Sequence, residues 1–145
     1  MGYSVEPVRG NVESLGHNGQ LELTLFFLKP AEYLTMNQRK HWAWTMKQKQ
    51  AWRESSRLAG LEWRPGATSR LLDGFAIVSF EFPVTQNRRR DPHNFYPTIK
   101  PIIDGLTDAG FWPDDTADFV ATREPTFVMD TDYVRVKLNV INEGQ

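Results

Sequence analysis

Between Arg88 and Asp115 the chain combines residue types that can hold a phosphate with residue types that can bind a metal ion. Hydrolysis of a phosphodiester requires a hard cation that polarises a phosphoryl oxygen and activates water, and aspartate oxygens are the usual ligands of such cations. The candidate metal ligands are Asp91, His93, Asp104, Asp114 and Asp115. The candidate phosphate-binding residues are Arg88, Arg89, Arg90 and Lys100. The alternative is a set of solvated turns and helix caps, which is the usual role of acidic residues in loops.

The order of these residues along the sequence is informative in addition to their chemical types. Asp91-Pro92-His93-Asn94 is followed by Lys100, then by Asp104-Gly105-Leu106, Ala109-Gly110 and Asp114-Asp115. This order resembles the signature of RusA-type Holliday-junction resolvases, which reads approximately Arg-Asp-x-Asp-Asn, Lys, Asp-x-Leu, Gly and Asp-Asp. Upstream, residues 37–42 (Asn-Gln-Arg-Lys-His-Trp) are similar to the N-terminal segment of that family.

The chain departs from the family pattern at two places. His93 stands where the family usually has a second aspartate, and Tyr96-Pro97-Thr98 is a short insertion before Lys100. Magnesium prefers oxygen ligands, whereas manganese accepts imidazole more readily. If His93 is a ligand, we therefore expect a preference for manganese. The alternative is that His93 contacts DNA or the backbone instead.

The resemblance implies a metal-dependent endodeoxyribonuclease that resolves Holliday junctions or related branched DNA by paired symmetric nicking. It implies a magnesium cofactor, a homodimer with one site per cut, and a phage or bacterial DNA recombination or repair setting. Asp91, Lys100 and Asp115 take the catalytic positions, with Asp91 the first acidic residue of the set. Two alternatives remain: a noncatalytic junction-binding protein on the same fold, in which His93 has disabled the metal site, and a structure-specific nuclease acting on other DNA or on RNA.

Composition limits the class of protein. With 145 residues, the chain is long enough for one domain with a sizeable core and too short for two ordinary ones. It has no cysteine, which excludes a disulfide framework, a cysteine-ligated zinc and a thiol nucleophile. We found no apolar run long enough to cross a bilayer and no apolar signal-peptide core, so we expect no membrane association and a cytoplasmic location.

Charge is distributed unevenly along the chain. The formal net charge of -1 argues against a protein that coats nucleic acid nonspecifically. Residues 29–70, however, include nine Lys or Arg and only three Glu. Residues 104–132 include eight acidic residues and a single basic one, Arg123. One segment is thus suited to bind a DNA backbone and another to bind a metal.

A helix is predicted from Asn37, as a possible N-cap, to about Gly60. One side of it is apolar, with Trp44, Ala51, Trp52, Leu58 and Ala59. The other side is basic, and an exposed Trp42 there can stack on a base or sugar while cations track phosphates. Its alternative is a solvated face whose Trp42 and Met46 pack on a neighbour. The predicted DNA-binding residues are Arg39, Lys40, Trp42, Lys49, Arg53, Arg88, Arg89 and Arg90.

The remaining patterns set the fold class. Leu21–Leu28 alternates as a half-buried strand, and the apolar run Phe75–Phe82 predicts an interior strand covered on both faces. A second helix is predicted over residues 98–109, with Thr98 as N-cap and Gly110 as its stop. Residues 134–140 alternate strongly and are expected to pair with residues 119–128 across the turn at 130–132.

These patterns predict an α+β fold, in which a mixed β-sheet packs with two main helices in a single compact domain. The domain is expected over residues 21–142. Residues 1–20 are rich in Gly, Asn, Ser and Glu and are expected to form a mobile N-terminal arm.

Overall fold

The computed structural model describes residues 12–15, 21–63 and 74–141. Within these residues six strands form one mixed sheet in the order β1-β2-β6-β3-β4, with β5 also paired to β3. The strands are β1 (Val12–Leu15), β2 (Leu21–Leu28), β3 (Phe75–Pro83), β4 (Val120–Thr122), β5 (Thr126–Val128) and β6 (Tyr133–Ile141). The helices are α1 (Trp42–Trp63), a 3-10 helix (Pro92–Phe95) and α2 (Tyr96–Asp108). The predicted α+β class is confirmed.

The three long strands form the sheet side of the core. β6 lies between β2 and β3 and is antiparallel to both. The alternation predicted for β2 and β6 is confirmed, with one face of each strand buried against the helices. β3 is an interior strand, as predicted, but its burial also alternates. The expectation that both of its faces are covered was wrong, because both α-helices pack on one side of the sheet and the residues on the other face are only half-buried.

The expected arm over residues 1–20 differs from the structure at β1, which pairs antiparallel with β2. Val12 lies opposite Thr24, and Leu15 lies opposite Leu21. The rest of that segment lies outside the described residues.

The first helix begins later than predicted. The sequence indicated a start at Asn37, whereas α1 runs from Trp42 to Trp63. His41 takes the capping role, since its Nδ1 accepts a hydrogen bond from the Ala43 N–H at 3.0 Å. Such a bond satisfies one of the backbone donors that a helix leaves unpaired at its start. Histidine is not among the usual N-cap residues, so Asn37 was the stronger signal.

The second helix begins earlier than predicted. α2 starts at Tyr96, directly after the 3-10 helix, and Thr98 is not its N-cap. Thr98 is instead fully buried. Its Oγ1 accepts the Leu34 N–H at 2.7 Å and donates to the Leu34 carbonyl at 2.8 Å. The hydroxyl therefore fastens the β2–α1 connection to α2. The predicted stop at Gly110 is confirmed, since Gly110 has a φ of 90° and follows the last turn.

The predicted pairing of residues 119–128 with β6 was wrong. β4 and β5 both pair in parallel with β3. Both edges of β6 are already occupied, by β2 and β3, so β5 is left with the far edge of β3. The chain then crosses the end of β3 to enter β6, and the turn includes Asp130 with a φ of 67°.

The two α-helices approach closely at Gly105. A Cβ added there would lie 1.9 Å from Ser56 Oγ and 2.2 Å from the Arg53 carbonyl oxygen, so only glycine fits. Ser56 is fully buried at this contact, and Trp52, one turn earlier in α1, is fully buried against the sheet. Leu58, which was predicted on the buried side, is 51% exposed. It lies roughly 120° around the helix from Trp52. Of the described helices, none is long and apolar enough to span a bilayer.

Candidate active site

Lys100 brings together residues from two separate parts of the candidate motif. Its Nζ donates a hydrogen bond to Asp104 Oδ1 at 3.0 Å, one turn further along α2. It also donates to Asp115 Oδ2, which lies after the end of that helix. The prediction that Lys100 and Asp104 share one face of α2 is confirmed. The three side chains form a partly exposed ion-pair cluster, which we call the lysine–aspartate cluster.

The position of Asp115 depends on how the chain leaves α2. Gly110 reverses the chain through the left-handed region, where L side chains are strained. The next two residues, Phe111 and Trp112, are buried. Trp112 Nε1 donates to Thr107 Oγ1 at 2.6 Å, which ties the returning segment to the last turn of the helix. These anchors hold the loop so that Asp115 faces Lys100.

The ion pair shifts the pKa values of both partners. The hydrogen bond to Asp115 raises the pKa of Lys100 well above its usual range, and burial opposes this shift. The same bond lowers the pKa of Asp115, again against the effect of burial. At neutral pH, Lys100 is therefore charged and so is the Asp115 carboxylate.

Asp114 contacts the backbone of its neighbour. Its Oδ1 accepts the Asp115 N–H at 2.8 Å. The side chain is exposed. This contact is the capping role that the sequence left open for Asp114, and a metal-binding role stays a prediction.

Asp91 begins the 3-10 helix. Its Oδ1 accepts the His93 N–H at 3.1 Å, and its carbonyl accepts the Asn94 N–H at 3.1 Å. Asp91 is thus a turn-former, and its Oδ2 takes no part in that turn. The His93 ring lies next to Glu124 of the β4–β5 connection, with Nδ1 3.7 Å from Glu124 Oε2. Both side chains are largely exposed.

The five predicted ligands do not converge into one multidentate metal site. Among residues 21–63 and 74–141, no group of three His, Asp or Glu side chains is placed to hold a metal ion together. The structure unites Asp104 and Asp115 through Lys100 and places His93 beside Glu124. Magnesium is often bound by one or two carboxylates, with waters and substrate phosphates as its other ligands. The carboxylates of the lysine–aspartate cluster fit that smaller donor set.

The three consecutive arginines have different surroundings. Arg90 Nη1 donates to the carbonyls of Gln86 and Arg88, both at 3.0 Å, and its guanidinium lies 5.6 Å from the centre of the Phe127 ring. Arg90 therefore stabilises the loop that carries it. Arg88 and Arg89 are exposed and adjacent to this fixed residue. Phosphate contacts by these arginines stay a prediction.

The predicted basic stripe of α1 is divided by the later helix start. Arg39 and Lys40 precede the helix, and Lys40 Nζ lies 5.4 Å from the centre of the Trp44 ring. Trp42, the first residue of α1, is 72% exposed, and Lys49 is also exposed. Arg53 is engaged within the protein by two hydrogen bonds to Asp108, at 2.6 and 2.9 Å.

Two features of the site have no sequence signal that we recognised. Glu124 lies beside His93, although thirty-one residues separate them. Lys29 shares a groove with Arg88 and Arg90. The sequence itself shows that Arg88 is close to Asp91. Only the fold shows that Lys29, which follows β2, lies in the same groove as Arg88.

Comparisons with known proteins assign no family. No protein-family model matches the chain, and no curated protein matches it either. A similar solved structure is the OmpA-like domain of FopA1 from Francisella tularensis subsp. tularensis SCHU S4. The two are 8% identical, with a TM-score of 0.36, over 97% of this chain and 87% of that one. A likeness of this size carries no argument about function.

Proposed function

We propose that this protein is a magnesium-dependent endodeoxyribonuclease that nicks four-way junctions or related branched DNA. The observation that carries this assignment is the contact of Lys100 with both Asp104 and Asp115. These residues occupy three separate positions of the RusA-type motif, and the fold groups them.

Each residue of the cluster has a chemical role available. Asp115, with Asp104 or Asp114, would hold a magnesium ion that polarises a phosphoryl oxygen and activates water. Lys100 is protonated at neutral pH, and its hydrogen bond to Asp115 raises its pKa further. Its ammonium is suited to stabilise the negative charge that grows on the phosphoryl oxygens in the transition state. Asp91 takes the remaining catalytic position by motif order.

A second candidate function is junction binding without cleavage. Two observations on His93 favour it. His93 stands where the family pattern has an aspartate, and its ring lies beside Glu124. In this alternative the grouped lysine and aspartates stabilise the α2 end and do no chemistry. Both candidates predict binding of branched DNA, so a binding assay does not distinguish them. A cleavage assay does, because only the first candidate predicts nicking.

The function is tested by incubating the purified protein with a four-way junction, a flap, a linear duplex and a stem-loop RNA, in magnesium and in chelator. We expect magnesium-dependent nicking, fastest on the four-way junction. Faster cutting of RNA or of linear duplex would assign a different nuclease. Binding without cutting in magnesium or manganese would support the second candidate.

Symmetric nicking also requires two sites related by a two-fold axis, which a homodimer supplies. We therefore expect a dimer in sedimentation, either free or bound to the junction. A monomer in both conditions would contradict paired nicking by a homodimer.

A further inference from the structure

A polar groove of about 800 Å³ lies between the β2–α1 connection and the loop that follows β3. One wall is the β2–α1 connection, residues 29–38, and the other is residues 83–90, at the end of β3 and beyond it. Three cations line it: Lys29, Arg88 and Arg90. Two carboxylates, Glu32 and Asp132, line it as well. The groove is therefore polar with a small excess of positive charge.

The two walls are held together by Tyr33. Its hydroxyl donates a hydrogen bond to the Pro83 carbonyl on the opposite wall. Lys29 Nζ lies 4.6 Å from the centre of the Tyr33 ring, on the same wall. The Arg90 charge opposes the rise in pKa that burial causes at the Tyr33 hydroxyl. Lys29 and Arg90 lie on opposite walls of the groove.

Each wall is fixed before any ligand binds. The Gln38 side chain accepts the Thr35 N–H at 3.1 Å and donates to the Tyr33 carbonyl at 3.0 Å, so the first wall is internally braced. On the second wall, Arg90 donates hydrogen bonds to two backbone carbonyls of its own loop, and these bonds hold the loop in place. A preorganised site loses little freedom on binding.

The groove adjoins the segment that carries Asp91. Arg90 is followed directly by Asp91. The first wall is tied to the 3-10 helix, since the Met36 N–H donates to the Asn94 carbonyl at 2.9 Å. A molecule lying in the groove is therefore adjacent to the segment that begins the motif.

We infer, resting on the nuclease function proposed above, that this groove binds one phosphodiester strand of the DNA next to the segment that carries Asp91. Lys29 and Arg88 contact phosphates, and Arg90 positions the wall. Neither Lys29 nor Arg88 forms an ion pair with another described residue, so both are available to a phosphate. Pockets of about 300–1,000 Å³ hold ligands of drug size. The groove therefore accommodates one or two nucleotides of a single strand rather than a duplex.

The test measures DNA binding without cleavage. Lys29→Gln and Arg88→Gln each remove one groove cation, and Lys137→Gln removes an exposed cation from β6, on the sheet face opposite the helices. Affinity for a labelled four-way junction is measured by anisotropy over a range of salt, in chelator. Each groove variant should bind about 5- to 20-fold more weakly, and the slope of log affinity against log salt should flatten by about one. Lys137→Gln should stay within about 2-fold of wild type.

Conservative variants guard against a folding artefact. Lys29→Arg and Arg88→Lys keep the charge and should retain most of the affinity and slope. Equal effects of the groove and control variants would overturn the groove assignment, as would undetectable binding of any DNA by the wild type. Displacement of the junction by polyglutamate at charge-equivalent concentration would also overturn it, in favour of an acidic protein ligand.

Because no metal is present, the outcome is independent of catalysis. A wild-type protein that binds junctions through Lys29 and Arg88 but never cuts them would refute the nuclease and keep the groove. A protein that cuts junctions while both groove variants bind normally would refute the groove assignment and keep the nuclease.

Discussion

The ammonium of Lys100 donates a hydrogen bond to the carboxylate of Asp115, fifteen residues further along the chain. The same ammonium contacts Asp104 within α2. The pair exists because Gly110 reverses the chain and the buried Phe111 and Trp112 anchor the returning loop. A local helix contact and a tertiary contact thus meet at one side chain.

The first prediction concerns the pH dependence of this pair. The pKa of Asp115 is lowered in the folded state, so its stabilisation is present above the unfolded pKa of ~3.9 and is lost as pH falls through the folded value. The pKa of Lys100 is raised, so its stabilisation is present below ~10.4 and is lost only as pH rises through the folded value. The pair therefore contributes throughout the neutral range.

Lys100→Gln should accordingly reduce the free energy of unfolding at pH 7 by about 1 kcal/mol or less, since the lysine is half exposed. The difference from wild type should shrink below about pH 4. Urea unfolding at several pH values measures it, with Lys137→Gln as control. An NMR titration in which the Asp115 carboxyl has the same pKa in both proteins would contradict the ion pair.

The second prediction concerns Arg53, which forms a bidentate pair with Asp108 and so joins α1 to α2. Arg53→Gln should lower the melting temperature but change the salt slope of DNA binding less than Lys49→Gln, because the Arg53 guanidinium is already engaged. A double-mutant cycle with Asp108→Asn should give a coupling of about 0.3–1 kcal/mol. A salt slope that flattens by about one in Arg53→Gln would make Arg53 a phosphate contact instead.

The third prediction concerns Gly105, within the Asp-x-Leu part of the motif. Gly105→Ala places a methyl group 1.9 Å from Ser56 Oγ and 2.2 Å from a backbone oxygen of α1, which forces the helices apart. We expect a loss of about 2–4 kcal/mol in urea unfolding. Combining it with Ser56→Gly should recover little, because the Arg53 carbonyl remains in the way. A stability within 0.5 kcal/mol of wild type, roughly the effect of a surface substitution, would contradict the close approach.

The fourth prediction concerns His93. If its imidazole binds the metal, the wild type should cleave faster in manganese than in magnesium, and His93→Asp should recover cleavage in magnesium. The structure offers another partner, Glu124, 3.7 Å away. Glu124→Gln serves as the matched variant, since it removes that partner and leaves His93 in place. Equal manganese-to-magnesium rate ratios for wild type and His93→Asp would mean that His93 is not a ligand.

Much of the sheet was predictable because its strands alternate strictly. β2 and β6 each bury every second residue, a pattern that sequence periodicity detects directly. β4 and β5 were mispaired because three residues are too few to show a period, and their partner is set by which edge of β3 stays open. The start of α1 was missed because His41 caps it, and the start of α2 because Thr98 looks like a cap but is buried against Leu34.

Less of the candidate site could be predicted. The spacing of Lys100 and Asp104 by four residues places both on one helix face, and the structure confirms that. The contact with Asp115 requires a chain reversal that no local pattern specifies. Likewise, Lys29 reaches the groove only because β2 and β3 end near each other in space, a consequence of their common pairing with β6.

The central claim is that the lysine–aspartate cluster cleaves branched DNA, and the most direct test is single-turnover nicking of a four-way junction by Asp115→Asn. The substitution keeps the shape of the side chain and removes the charge that would hold the metal. We predict that magnesium-dependent nicking is nearly abolished, and likewise for Asp91→Asn, while junction affinity measured in chelator stays within about 3-fold of wild type. Asp118→Asn, at an exposed aspartate outside the cluster, should cut normally. Cutting by Asp115→Asn at the wild-type rate would contradict the claim.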